Sequence, residues 1–288
     1  MSKVGEPLGA VADDEQQPTP TEPAPTEPAV TETVDAFHRG GFFLVQPKGR
    51  GHRTGMDAML LAALVADARP LLLADLGAGA GGAGLAVASR LPQAQVTLVE
   101  RSGEMLSFAE KTLALSENAH LADRINLIEA DVTLTGRARR AAGLADGSFD
   151  HVIMNPPFND GRDRLTPDRL KAEAHAMDED LFESWIRTAG AIMKPGGQLS
   201  LIARPQSVAE IIAACGKRFG GIEITLLHPR PGESAIRLLL TAIKGSRARL
   251  AFRSPLTMHG PDGHAFLPEV DSLNNGRKAY PRLDVKSM

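Results

Sequence analysis

Asp75-Leu76-Gly77-Ala78-Gly79-Ala80-Gly81-Gly82-Ala83-Gly84 is the stretch that decides how the rest of the chain is read. It follows the apolar run Leu71-Leu72-Leu73-Ala74, which has the look of a strand buried on both faces. After the glycines comes a helical pattern, then a second strand pattern, Gln95–Glu100, that ends on an acid. Glycines at a strand-to-helix turn let backbone N–H groups approach a ligand at a helix N-terminus. An acid at the end of the next strand suits the hydroxyls of a ribose. The order of strand, glycines, helix, strand and acid therefore points to a nucleotide-type ligand, with a plain tight turn as the alternative. No Gly-Lys-Ser/Thr follows, so this is not a P-loop. It also opens on Asp75, where a dinucleotide loop usually has Gly.

Working outward, the strand signature repeats at Ile125–Ala130, Asp150–Met154 and Gln198–Ala203, and two further strands, Gly221–Leu227 and Ile236–Ile243, read as a terminal hairpin-like pair. Helical patterns lie between them. Ser102 is placed to cap one that turns Met105, Phe108, Ala109 and Thr112 to one face. Asp178 is placed to cap another with Leu181, Phe182, Trp185, Ile186, Ala189 and Ile192 inward, and a third carries Val208, Ile211, Ile212, Cys215 and Phe219. Cys215 then reads as a small buried hydrophobe. Alternating β and α with right-handed crossovers predicts a doubly wound, mostly parallel seven-stranded sheet with helices on both faces.

A second signal, Asn155-Pro156-Pro157-Phe158, stands at the end of the Asp150–Met154 strand, the edge where doubly wound sheets bind ligands. Two prolines cannot continue a central strand, and they stiffen the backbone. An Asn carbonyl and a proline carbonyl held side by side offer two acceptors to an amino group with two hydrogens, and Phe158 offers a face to a flat ring. A strand-ending turn with a core Phe explains the same residues equally well.

Composition narrows the setting. The 288 residues include one Cys, one Trp and one Tyr. That excludes a disulfide framework, a Cys-based zinc ribbon and a broad aromatic platform for base stacking. No apolar run reaches the roughly 18 residues that cross a membrane, and no signal-peptide pattern opens the chain, so a cytoplasmic protein is expected. The formal charge of −3 is uneven. Residues 1–35 hold Lys3 against eight acids, −7 in all, which leaves +4 on residues 36–288. The first 35 residues, with their repeated Thr-Glu-Pro, are expected to form a disordered acidic tail before a single domain at 36–288. Lys48, Arg50, His52 and Arg53 precede the first core helix, and Arg162, Arg164, Arg169 and Lys171 follow Phe158. They are either solvated loop charges or contacts to phosphates. His38 and His52 flank the basic entry segment, the other histidines are scattered, and no metal-ligand spacing is present. No obligate protein partner is evident.

Taken together, Asp75 through Gly81, Glu100, Asp131 and Asn155-Pro156-Pro157-Phe158 resemble the class I S-adenosylmethionine-dependent methyltransferases, in the branch that methylates amino or amide nitrogens. Phe42-Phe43, Gly55-Met56-Asp57-Ala58-Met59-Leu60-Leu61 and His228-Pro229-Arg230-Pro231-Gly232 narrow the likeness to bacterial tRNA adenine-N6 methyltransferases acting on a valine tRNA. The resemblance implies S-adenosyl-L-methionine as cofactor, with Gly77, Gly79 and Gly81 along its methionine and ribose end and Asp75 at the methionine. Glu100 would lie on the ribose hydroxyls and Asp131 on the adenine amino group. It implies that Asn155 and the Pro156 carbonyl hold the target amino group while Pro157 stiffens the turn and Phe158 stacks on the target base. Thr54 and Asp57 fit a helix-opening capping box; the resemblance adds contact near the methionine end. Lys48, Arg50, Arg53, Arg162 and Arg164 would face the RNA. Rival readings are a guanine amino group in rRNA, a protein glutamine amide, or a non-catalytic RNA-binding relative. The release-factor glutamine enzymes have a longer helical domain ahead of the cofactor loop than residues 36–70 allow.

Overall fold

The computed structural model describes residues 1, 31–48, 53–67, 69–157 and 181–283. A hairpin of β1 (Glu32–Phe37) and β2 (Phe42–Pro47) leads into α1 (Met56–Ala63). Then come β3 (Leu71–Leu76), α2 (Gly82–Arg90), β4 (Ala94–Glu100), α3 (Gly103–Leu113), the single turn α4 (Ala119–Ala122) and β5 (Ile125–Glu129). After α5 (Gly136–Ala141) and β6 (Phe149–Met154), residues 181–192 form α6, which runs directly into β7 (Met193–Ala203). The chain continues through α7 (Val208–Cys215), β8 (Phe219–His228), β9 (Arg237–Lys244), β10 (Ala251–Phe252), β11 (Leu256–Thr257) and α8 (Pro268–Asn274).

The central sheet runs β10-β8-β9-β7-β6-β3-β4-β5, with β11 also on β8. All seven strands read from the sequence are in it, and only β9 is antiparallel to its neighbours. The two-residue β10 and β11 extend one edge and are too short to show any periodicity. Central strands are apolar on both faces because both are covered. On one face Ala74, Leu76, Val152, Met154, Leu199 and Leu201 pack with Phe182, Trp185, Ile186 and Ala189 of α6 and with Ile211 and Cys215 of α7. On the other, α1 and α2 lie against each other and on β3, β4, β6 and β7.

Parallel register fixes where the chemistry gathers. Leu76 pairs with Val99 and Met154, and Glu100 with Glu129, so β3, β4, β5 and β6 end along one edge. The glycine loop, Glu100, Asp131 and Asn155 all leave that edge.

Two local expectations change. Strand structure extends ahead of residue 36: β1 draws Glu32, Thr33, Val34 and Asp35 into an antiparallel pair with β2. Its supports are distant in sequence and invisible to composition. Lys111 pairs with Glu32, Arg53 with Asp35, and Phe37 stacks on Phe42 at 5.4 Å. The outer edge of β2 is closed by side chains, with Val45 N–H donating to Thr112 Oγ1 (2.8 Å) and Phe43 N–H to Asn118 Oδ1 (3.0 Å). In α3, Ser102 Oγ does accept from Met105 N–H (3.3 Å), but Leu106 rather than Met105 is buried beside Phe108, Ala109 and Thr112. Asp178 lies outside the described residues.

Candidate active site

The loop after β3 is shaped by three glycines with left-handed backbone, Gly77 (φ 69°), Gly79 (φ 57°) and Gly81 (φ 93°). Gly77 is required twice over, because a Cβ there would also overlap the Trp185 ring. At Gly79 the nearest atom to such a Cβ is Met105 Cε at 3.8 Å, so this glycine keeps space open rather than filling it. Gly77 and Ala78 N–H both donate to Val99 O, and Gly81 is the N-cap of α2. Nothing in the sequence placed Trp185 under this loop. The stripe on α6 says only that it points inward. With Thr188 Oγ1 donating to Val132 O (2.7 Å), α6 braces both the glycine loop and the segment carrying Asp131.

The three acids do different things. Glu100 bridges two elements: Oε2 accepts from Gly79 N–H (2.9 Å) and Oε1 from Ser102 N–H (3.0 Å). Each oxygen keeps one acceptor direction, enough for a vicinal pair of hydroxyls. Asp75 is 2% exposed, and its Oδ2 accepts from Gly84 N–H (2.8 Å) in the first turn of α2. Burial pushes its carboxyl up to about 7 against the pull of that hydrogen bond. Asp131 Oδ1 accepts from both the N–H and the hydroxyl of Thr133 (2.7 Å each), forming the turn cap that its sequence position alone suggested. Burial raises its pKa, but those bonds outweigh it and hold the carboxyl below the usual range. Its second oxygen has no hydrogen-bond partner among the described residues, although the charge of Arg101 acts on the carboxylate.

Asn155 leaves the end of β6 with Pro156 buried behind it and Pro157 at the surface. Its Oδ1 is buried and accepts no hydrogen bond among the described residues. An orphaned buried acceptor costs about 1–3 kcal/mol, so a native chain carries few of them. Phe158, Arg50, Arg162 and Arg164 lie outside the described residues.

Thr54 and Asp57 do not form a capping box. The N-cap of α1 is Gly55, with no side-chain bond. Tertiary partners claim both groups instead. Thr54 N–H donates to Gln46 Oε1 (2.6 Å), and its side chain fills the space where Gly82 lacks a Cβ. Asp57 accepts from Arg237 Nε at 2.8 Å, linking α1 to the first residue of β9. Arg53 lies 2.6 Å from Asp35 in an exposed ion pair, and Lys48 is exposed. Among the described residues no group of three or more His, Cys, Asp or Glu could hold a metal, and no helix is long and apolar enough to cross a membrane.

The sequence model of the methyltransferase small domain matches residues 55–225. A tRNA1(Val) (adenine(37)-N6)-methyltransferase of Porphyromonas gingivalis is 27% identical over 80% of this chain and 90% of its own. A release factor glutamine methyltransferase of Deinococcus radiodurans is 30% identical over 48% of each chain. A crystal structure from Agrobacterium tumefaciens, described as a predicted O-methyltransferase, is 62% identical, covers 79% of this chain and all of its own, and superposes with a TM-score of 0.70.

Proposed function

This chain belongs to the methyltransferase small domain family and uses S-adenosyl-L-methionine, and from that premise we propose that it methylates an exocyclic amino nitrogen, N6 of an adenine in tRNA. The residues at the sheet edge suit the cofactor. Glu100 has a free acceptor direction on each oxygen for the ribose hydroxyls, Gly79 leaves room beside the loop, and Asp131 has an unpartnered oxygen for the adenine amino group. Thr54, Asp75, Gly77 and Gly81 would surround the methionine end, and Asp57 ties α1 to Arg237.

When bound, the cofactor supplies a methyl group on a sulfonium, already electrophilic, so alignment matters more than acid–base help. The chain's part is to hold the nucleophile. Asn155 Oδ1 and the Pro156 carbonyl accept the two amino hydrogens, favouring a pyramidal nitrogen with its lone pair toward the methyl group. Pro157 keeps the pair rigid and Phe158 stacks on the base. His151 and Cys215 take no part. Burial drives His151 down to about 3 and Cys215 up to about 12, and both lie within the core.

The carrying observation is the orphaned Asn155 Oδ1. An amino group uses two acceptors, whereas a hydroxyl has a single hydrogen to give. With the Pro156 carbonyl as the second acceptor, the pair would suit nitrogen better than the oxygen target named for the Agrobacterium protein. The tRNA substrate rests on the likeness to the Porphyromonas enzyme and on the +4 charge of residues 36–288. Lys48, Arg50, Arg53, Arg162 and Arg164 would meet its phosphates.

The test is mass spectrometry of tRNA nucleosides from a deletion strain. Loss of one N6-methyladenosine, restored by the wild-type chain but not by Asn155→Ala, is the expected result. An unchanged nucleoside profile, with transfer to a glutamine amide or an oxygen instead, would overturn the substrate assignment.

A further inference from the structure

Residues 244–261 carry Lys244, Arg247, Arg249 and Arg253 and not one acid. The segment leaves the end of β9 and forms β10, which lies along β8 at the end of the central sheet. Backbone bonds hold it there: Gly221 N–H donates to Ala248 O (2.8 Å) and Arg253 N–H to Ile224 O (2.8 Å). Gly220 permits the close approach, since a Cβ at that position would overlap Ser246 O. Neither the cofactor site nor the amine-holding turn uses any of these residues.

Three features single this edge out. Arg247 and Arg249 are exposed and have no hydrogen bond or ion pair among the described residues, whereas exposed Arg39, Arg69 and Arg218 each lie against a carboxylate. Second, Phe252 is 66% exposed, with Leu250 also at the surface. Third, Glu223, which pairs in register with Ala251, is buried and already taken by Arg282 (3.0 Å) and Arg253 (3.8 Å). Arg253 also lies over the Tyr280 ring (3.9 Å) and donates to Pro281 O (2.6 Å), so β10 is fixed before any partner arrives.

Cations on an edge strand guard against pairing with another sheet. Guarding does not call for an uncovered Phe, which works against it. A second copy of the chain is a poor occupant, because a two-fold pairing of this edge sets arginine against arginine. Free guanidinium groups beside a bare ring suit a nucleic acid, with phosphates on the arginines and a base on the aromatic face. We infer that Arg247, Arg249 and Phe252 form a second RNA contact, for a part of the substrate away from the methylated base. This rests on the RNA reading above and deepens it. In the order β6-β7-β9-β8-β10 the contact lies four strands from the one that ends in Asn155, about 20 Å across the sheet. It is level with Glu223 and Ile224, short of the active edge where β8 ends at His228. A single nucleotide cannot span that distance; a folded RNA can.

The probe is an unmodified, full-length valine tRNA transcript, its binding measured over a range of salt. Arg247→Gln with Arg249→Gln should weaken binding about tenfold and flatten the slope of log affinity against log salt by about two. Phe252→Ala should also weaken it about tenfold while leaving the slope alone. Arg247→Lys with Arg249→Lys keeps both charges and should keep the slope. All three side chains are exposed, so melting temperature, S-adenosylmethionine affinity and single-turnover rate at saturating RNA should stay at wild-type values. Unchanged affinity and slope in the Gln and Ala variants would overturn the contact and leave the substrate reading standing. A wild-type dimer that Phe252→Ala dissociates would give the edge to a second copy and overturn it as well. Failure of the wild-type chain to bind or methylate any RNA would overturn both.

Discussion

The two halves of the active edge treat their polar groups in opposite ways. On the glycine-loop side every acid is already engaged by the chain: Glu100 by Gly79 and Ser102, Asp75 by Gly84, Asp131 by Thr133. On the Asn155 side a buried acceptor has no partner among the described residues. The first half is therefore part of what holds the fold together and is shaped before any ligand arrives. The second costs stability and makes sense only through what it binds. Mutation should separate the two.

Asn155→Ala offers the sharpest break. Losing an acceptor aimed at the reacting amine should cost about 10²–10³ in single-turnover rate, while removing an orphan should leave the melting temperature unchanged or raised. A stability loss without a rate loss would make Asn155 an ordinary turn residue. Gly77→Ala acts the other way. It sets a Cβ against Trp185 in a left-handed position and should destabilise by about 2–4 kcal/mol, read by thermal unfolding. Adding Trp185→Leu should recover the steric part alone.

Asp75 gives a pH signature. Its folded pKa of about 7 lies above its unfolded value near 3.8, so the folded chain keeps a proton that the unfolded chain releases. The stability this gives is complete below about pH 4 and is lost as pH rises through 7, by about 2–3 kcal/mol between pH 5 and 7. His151 and His38, depressed to about 3 and 4, act oppositely: their stabilisation is present above pH 6.5 and lost as pH falls through the folded values. Asp75→Asn removes the first effect only, so its melting temperature should gain on wild type between pH 5 and 7.5. A constant difference would show that Asp75 does not titrate there.

Glu100→Ala should weaken S-adenosylmethionine binding about tenfold or more by calorimetry and also lower stability, since Gly79 and Ser102 lose their acceptor. Loss of affinity without loss of stability would blur the contrast between the halves. The smallest effect belongs to Arg53→Ala. Its exposed pair with Asp35 is worth about 1 kcal/mol or less, yet if Arg53 meets a phosphate the salt dependence of RNA binding should flatten by about one.

Much of this molecule is legible without coordinates. Central strands announce themselves because burial on both faces demands unbroken apolar runs, and Gly77 to Gly81 because no other residue adopts that turn beside a strand end. Pro156-Pro157 is legible as the end of a strand, because two prolines cannot continue one, but the pattern reads equally as a plain turn. What tertiary structure decided are the partnerships between residues far apart in the chain. Residues 32–35 look like tail until β2, Lys111 and Arg53 claim them. Thr54 and Asp57 look like a local cap until Gly82 and Arg237 take both side chains. Trp185 reads only as inward until the sheet brings it under Gly77, and His38 reads only as flanking the basic entry segment until Phe42 and Gly276 pin its ring. Backbone preferences and periodicity are properties of a few neighbouring residues, so sequence carries them. A side chain's partner depends on which distant element the packed sheet places beside it, and only the folded chain settles that.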